Sequence, residues 1–164
     1  MSTPSLVPAD FTVPIVYETG RFRLRMLATT DVDKDYEAVM ESVTLLNRMF
    51  GQGWPTPTFS WEENLRDLAE HQAEFERREA FAYTVVTLDE GRCLGCLYIN
   101  PARDGKADAR VHMWVRQSEY ERGLDPILFR TVSDWLERAW PFEKIEYVGR
   151  DERGLWRPLD RRRG

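Results

Sequence analysis

In the stretch RFRLRML, residues 21–27, Phe22, Leu24 and Met26 alternate with arginines. A period of two predicts a strand with one apolar and one charged face. The period then lengthens. Val32, Tyr36, Val39, Met40, Val43 and Leu46 follow the helical spacing, which predicts one helix capped by Thr30 or Asp31 and running to about Phe50, where GQGWPTPT breaks it. Ser60 followed by Glu63 forms a capping box, and Trp61, Leu65, Leu68 and Phe75 keep one face of a second helix apolar as far as about Arg78. FAYTVVTL (81–88), RCLGCLYI (92–99) and ARVHMWV (109–115) are three strand-like runs separated by turn-rich segments. Asp125 as N-cap and Pro126 as first helical residue open a third helix, marked by Leu128, Val132, Trp135 and Leu136 and stopped by Pro141. KIEYVG (144–149) is a last strand.

The order β-α-α-β-β-β-α-β predicts an α+β domain: an antiparallel meander, then one strand-helix-strand crossover, in a mixed, mostly antiparallel central sheet with helices on both faces. Residues 1–20, with Pro4, Pro8 and Pro14, are expected to be an irregular arm; residues 21–149 form the single domain, and residues 150–164 an irregular charged tail.

The chain has 164 residues, 42% of them hydrophobic, enough for one sizeable core. Its net charge of −5 gives no basic footprint for nucleic acid, and the run Arg161, Arg162, Arg163 reads as a solvated tail. No apolar run approaches the roughly 18 residues that span a bilayer and no signal-like start is present, so a cytoplasmic protein without a membrane partner is expected. Cys93 and Cys96 form a C-x-x-C on a predicted strand. Residues three apart on a strand point to opposite faces, and no second Cys or His pair completes a zinc set, so both read as buried thiols with no metal.

The strings FRLRMLATTDVDKDY, SWEENLRDLAEHQAEF, GRCLGCLYI and VHMWVRQSEYERGLDPILF resemble the GNAT superfamily of acyl-CoA N-acyltransferases, particularly the branch containing ribosomal-protein N-terminal acetyltransferases. The resemblance covers roughly residues 21–149. It implies acetyl-CoA as co-substrate, a primary amine on a small molecule or peptide as acceptor, and a cofactor loop of pattern Q/R-x-x-G-x-G/A after the fourth strand. Here that pattern falls on Tyr120, Gly123 and Asp125, of which Gly123 fits. Residues implied to line the cofactor site are Met113, Trp114, Val115, Tyr120, Glu121, Arg122, Gly123, Leu124 and Asp125.

The physics of such a loop is that unpaired N–H groups at a helix start, with the macrodipole behind them, bind phosphate. As N-cap, Asp125 would consume those donors and add a like charge, which about 4 Å away costs on the order of 1–4 kcal/mol. Arg116 and Arg122 flank the loop, as partial compensation or as exposed charges on a solvated turn. Candidate bases are His112, whose ordinary pKa suits the task, and Glu119 near the loop. The family's usual glutamate position falls on Arg110, with Asp108 the nearest carboxylate, and GRDERGLWRPLDRRRG (149–164) offers no matching helix for the family's tyrosine acid.

Two readings follow: an acyl-CoA-dependent N-acyltransferase, or a weak or inactive GNAT-like binding or regulatory module that has lost its pyrophosphate cradle. An unpaired sheet edge near residues 144–149 is also expected, covered by the N-terminal arm or by a second copy in a homodimer.

Overall fold

A computed structural model of the chain describes residues 5–51 and 53–157. Strands β1 (Val16–Glu18), β2 (Arg23–Met26), β3 (Phe81–Val86), β4 (Cys93–Pro101), β5 (Ala109–Val115) and β6 (Ile145–Tyr147) lie side by side in chain order. Neighbours are antiparallel except β5 and β6. Those two are parallel because a helix intervenes: a short turn of helix, α4 (Gln117–Glu121), leads into α5 (Leu124–Ala139), which carries the chain back across the sheet. The other face is covered by α1 (Val32–Glu41), α2 (Val43–Phe50) and α3 (Trp61–Glu76).

The period of two sorts the core. On β5, Val111, Met113 and Val115 pack with Leu128, Val132, Trp135 and Leu136 of α5. Trp114 points the other way, into a cluster with Val39, Leu46 and Leu68. The expected mixed sheet with helices on both faces is therefore present. The capping box forms as expected, Ser60 Oγ accepting from the Glu63 N–H at 3.1 Å and the Glu63 carboxylate accepting from the Ser60 N–H at 3.2 Å. No helix among the described residues is long and apolar enough to cross a membrane.

Four local expectations are corrected. Residues 16–18 of the arm form β1, and Val7 is buried beside Phe11, whose ring lies 5.3 Å from that of Trp140. This arm joins the sheet edge opposite β6, so it does not cover the β6 edge, where the sheet ends. The first helix breaks at Ser42, whose hydroxyl donates back to Ala38 O at 2.7 Å and accepts from the Gln117 N–H at 2.9 Å, drawing the chain out of helical geometry. Cys93 and Cys96 share one face. The β3–β4 register slips at Val85/Val86, making Leu94 an extra residue that restores the parity of the two thiols.

The fourth correction concerns residues 150–157, expected to be irregular. They fold back in a tight loop in which Arg150 pairs with Trp156 as an isolated bridge and the Arg157 N–H donates to Gly149 O at 2.8 Å. The run Arg161–Arg163 lies outside the described residues.

Candidate active site

β5 and β6 pair over Ala109–Ile145, Arg110–Glu146 and Val111–Tyr147, and the Val148 N–H still reaches Val111 O at 2.9 Å. Beyond that point β6 ends: residues 148 and 149 turn, and the Arg150 N–H donates back to Tyr147 O at 3.4 Å. Met113, Trp114 and Val115 continue along β5 with β4 on one side and, among the described residues, no paired strand on the other; this open edge is the gap. All three side chains are buried in the core clusters on the two faces of the sheet.

Next in the chain is the loop expected to hold the cofactor. α4 satisfies its own backbone: the Tyr120 N–H donates to Arg116 O and the Gly123 N–H to Tyr120 O. Gly123 turns the chain into α5 with φ of 88°, in the left-handed region, and no atom lies within 4 Å of where a Cβ would stand. Conformation rather than space therefore demands glycine here. Glu121 and Arg122 are exposed and Leu124 is buried. Because Pro126 has no N–H, the start of α5 offers chiefly the Leu124 and Asp125 N–H groups to an anion.

Asp125 does not cap the helix. Gly123 holds the cap position with no side-chain bond, and Asp125 lies within the first turn, buried, with its carboxylate turned away from the backbone. Arg150 grips it with two bonds, Nη1 to Oδ2 at 2.9 Å and Nη2 to Oδ1 at 2.8 Å, and Trp156 Nε1 donates to Oδ1 at 3.0 Å. The expected consumption of N–H donors does not occur, and a guanidinium rather than solvent faces the charge.

Arg150 also reaches into the gap. Nη1 donates to Gly154 O at 2.9 Å, and Nη2 lies 3.4 Å from Met113 O, a carbonyl on the open edge of β5. Its guanidinium stands 4.4 Å over the Trp156 ring and 5.2 Å over Phe129. The chain's own side chains thus cover the open edge of β5 beyond Val111.

On the α1–α3 face, His112 of β5 is half-buried among Tyr98, at 4.8 Å between ring centres, and Phe50, at 5.6 Å, with Asn100 Nδ2 3.4 Å from Nε2. Trp54 stands edge-on to Trp114, whose Nε1 donates to the Tyr98 hydroxyl at 3.2 Å. Burial, aided by the charges of Arg110 and His71, lowers the His112 pKa to about 4. The ring is neutral at pH 7, but a conjugate acid that strong makes it a poor match for taking a proton from an alkylammonium ion. Burial first, then the nearby Cys96 and Asp35, pushes the Tyr98 hydroxyl well above the usual phenol range.

Glu119 is not brought to this group. Its carboxylate is held by Arg92 Nη1 at 2.6 Å, toward the β3–β4 turn. Asp108 instead accepts from the Glu143 and Lys144 N–H groups at 2.7 and 2.9 Å, fixing the start of β6. Arg116, read as a flanking or solvated charge, is buried. It pairs with Glu37 and Glu41 at 2.9 and 2.8 Å and donates to Cys93 O, clamping the end of β5 to α1. That bonding holds the Glu41 carboxyl down at about 2. Arg122 remains exposed.

The residues not foreseen are Tyr98, Asn100, Phe50, Arg150 and Trp156. Alternation along β4 places Cys96, Tyr98 and Asn100 on one face, a signal available in the sequence; for Arg150 and Trp156 none was.

No family model and no curated protein matches the chain. Among solved structures, the ribosomal-protein-S5-alanine acetyltransferase of Vibrio fischeri superposes with a TM-score of 0.66 at 18% identity, over 85% of this chain and 78% of that one. RimJ of Mycobacterium smegmatis in complex with CoA-disulfide gives 0.62 at 18% identity, over 80% and 63%. RimL, a ribosomal L7/L12 alpha-N-protein acetyltransferase in complex with coenzyme A, gives 0.58 at 20% identity, over 76% and 67%. The chain has the GNAT fold that its strings resemble.

Proposed function

We propose, from the GNAT fold, that this chain transfers an acyl group from acyl-CoA, acetyl-CoA in the simplest case, to a primary amine on a small molecule or peptide. The observation that carries the reading is the end of β5–β6 pairing at Val111, which leaves the edge of β5 open beside the left-handed Gly123 and the start of α5. The CoA-bound RimJ and RimL structures share the fold, which supports coenzyme A as the ligand class.

The chemistry asks little of a base. The amine nitrogen attacks the thioester carbonyl carbon, the C–S bond breaks, and the proton lost by nitrogen ends on the departing thiolate. An amine among Phe50, Trp54, Tyr98 and His112 is desolvated, which lowers its own pKa and favours the neutral nucleophile. His112, neutral at pH 7, is suited to accept a hydrogen bond from that amine. Backbone N–H groups of Met113 and Val115, on the open edge of β5, would steady the carbonyl oxygen.

A second reading, a GNAT-like module without acyl transfer, is favoured by one observation: Arg150 and Trp156 stand in the gap. The test is a melting temperature with and without millimolar acetyl-CoA. Ligand at 100 times its Kd adds about 2.7 kcal/mol. The acyltransferase reading predicts a rise; no rise in the parent chain, nor in a variant with Trp156 replaced by Ala, would overturn it.

A further inference from the structure

The geometry points to a built-in latch: residues 149–157 close the acyl-CoA cleft from within, and acyl-CoA binds by displacing them. This rests on the acyltransferase reading and adds a regulatory step to it.

Three observations support the latch as a specifically packed element rather than loose chain. First, Arg150 and Asp125 form a bidentate pair with side chains 1% and 6% exposed. An ion pair so deeply buried is held by its fit: Gly154 O and Met113 O take further guanidinium donors, while Phe129 and Trp156 flank its plane. Second, the loop uses glycine where both space and conformation require it. Gly149 has φ of 74°, and a Cβ there would overlap the Trp156 ring; Gly154 has φ of 83°, and a Cβ there would overlap Phe129. Third, Trp156 spans both halves of the site. Its Nε1 donates to Asp125 on the cofactor side, and its ring meets Phe50 edge-on, at 5.8 Å, on the acceptor side. One side chain therefore blocks both substrates.

The latch is also poised to leave. Arg150 Nε is buried without a hydrogen-bond partner among the described residues, and a buried donor left unpaired weakens the closed state. Among the described residues the loop is held by the Arg150 N–H bond to Tyr147 O at 3.4 Å, by side-chain contacts and by its own turn bonds. On opening, Asp125 would lose the Trp156 N–H bond. An arriving pyrophosphate would then need Arg150 to stay near the start of α5, so the latch would swing about Gly149 rather than detach from the site.

The experiment compares acetyl-CoA affinity, by calorimetry on the full chain, for the parent, Trp156→Ala and Gly154→Ala. The second variant forces the loop off Phe129 without altering a cleft wall, so a folding failure of the first does not end the test. A latch closed 90–99% of the time lowers apparent affinity about 10- to 100-fold, and both variants should bind tighter by that factor. In the parent, saturating acetyl-CoA should raise amide exchange across residues 149–157. Equal affinity in all three chains, or unchanged exchange, would overturn the latch and leave the acyltransferase reading standing. No binding in any chain would overturn both.

Discussion

Replacing Asp125 by Ala strands Arg150. The guanidinium loses both carboxylate bonds, at 2.8 and 2.9 Å, while its side chain stays 1% exposed, and Trp156 Nε1 loses its acceptor. Removing one partner of a buried pair costs about 3–5 kcal/mol, and an unpaired indole N–H adds about 1 kcal/mol. The loss stops growing once it exceeds the docking free energy of residues 149–157, because the loop then releases and hydrates the guanidinium. Urea unfolding of Asp125→Ala should therefore show a loss of about 4–6 kcal/mol if the loop stays docked, with Tm lower by roughly 10–20 °C. A smaller loss should come with fast amide exchange confined to residues 149–157. Arg150→Met added to Asp125→Ala removes the buried charge and retains apolar contact with Phe129 and Trp156. The double variant should lie above Asp125→Ala, giving a coupling energy of about 2 kcal/mol or more. Additive changes of under about 0.5 kcal/mol, with residues 149–157 still protected, would show that the pair holds nothing in place.

Burial raises the Asp35 carboxyl above its ordinary 3.8, although Asn64 and Cys96 donate to it. Its contribution is full below about 3.8 and is lost as pH rises through the folded value, so Asp35→Asn should gain on the parent as pH rises above about 3.8; a pH-independent gap in urea midpoints would contradict this. For His112 the sign reverses. With its pKa lowered from 6.5 to about 4, stability is present above 6.5 and falls toward pH 4, by at most about 3 kcal/mol. His112→Phe should flatten that acid limb; an unchanged limb would place the titration elsewhere. Gly123→Ala should cost about 1–2 kcal/mol from the left-handed backbone alone, and a neutral result would show that the turn relaxes. The open β6 edge is expected to pair with a second copy, so sedimentation should show a dimer; a concentration-independent monomer mass would contradict it.

The elements were largely legible because they rest on local periodicity. The alternation of Phe22, Leu24 and Met26, the capping box at Ser60 and the glycine at 123 each declare themselves within a few residues, and together they imply the GNAT order. Where the reading failed, a distant partner decided. Asp125-Pro126 has the grammar of a helix cap, yet a carboxylate bonds the best donor within reach, and that donor sits 25 residues away on Arg150. Arg116 has the look of a turn charge and is instead clamped to Glu37 and Glu41, more than 70 residues earlier. Cys93 and Cys96 obey strand alternation only if no residue is inserted, and the bulge at Leu94 is set by pairing with β3.

The sequence by itself determined the element order, the core faces and the left-handed glycine before α5, since backbone periodicity and left-handed turns are properties of short segments. The tertiary structure alone decided which charges are paired, how weakly basic His112 is, and that Arg150 and Trp156 cover the open edge of β5. Those outcomes depend on desolvation and on contacts between segments far apart in the chain, which no local pattern records.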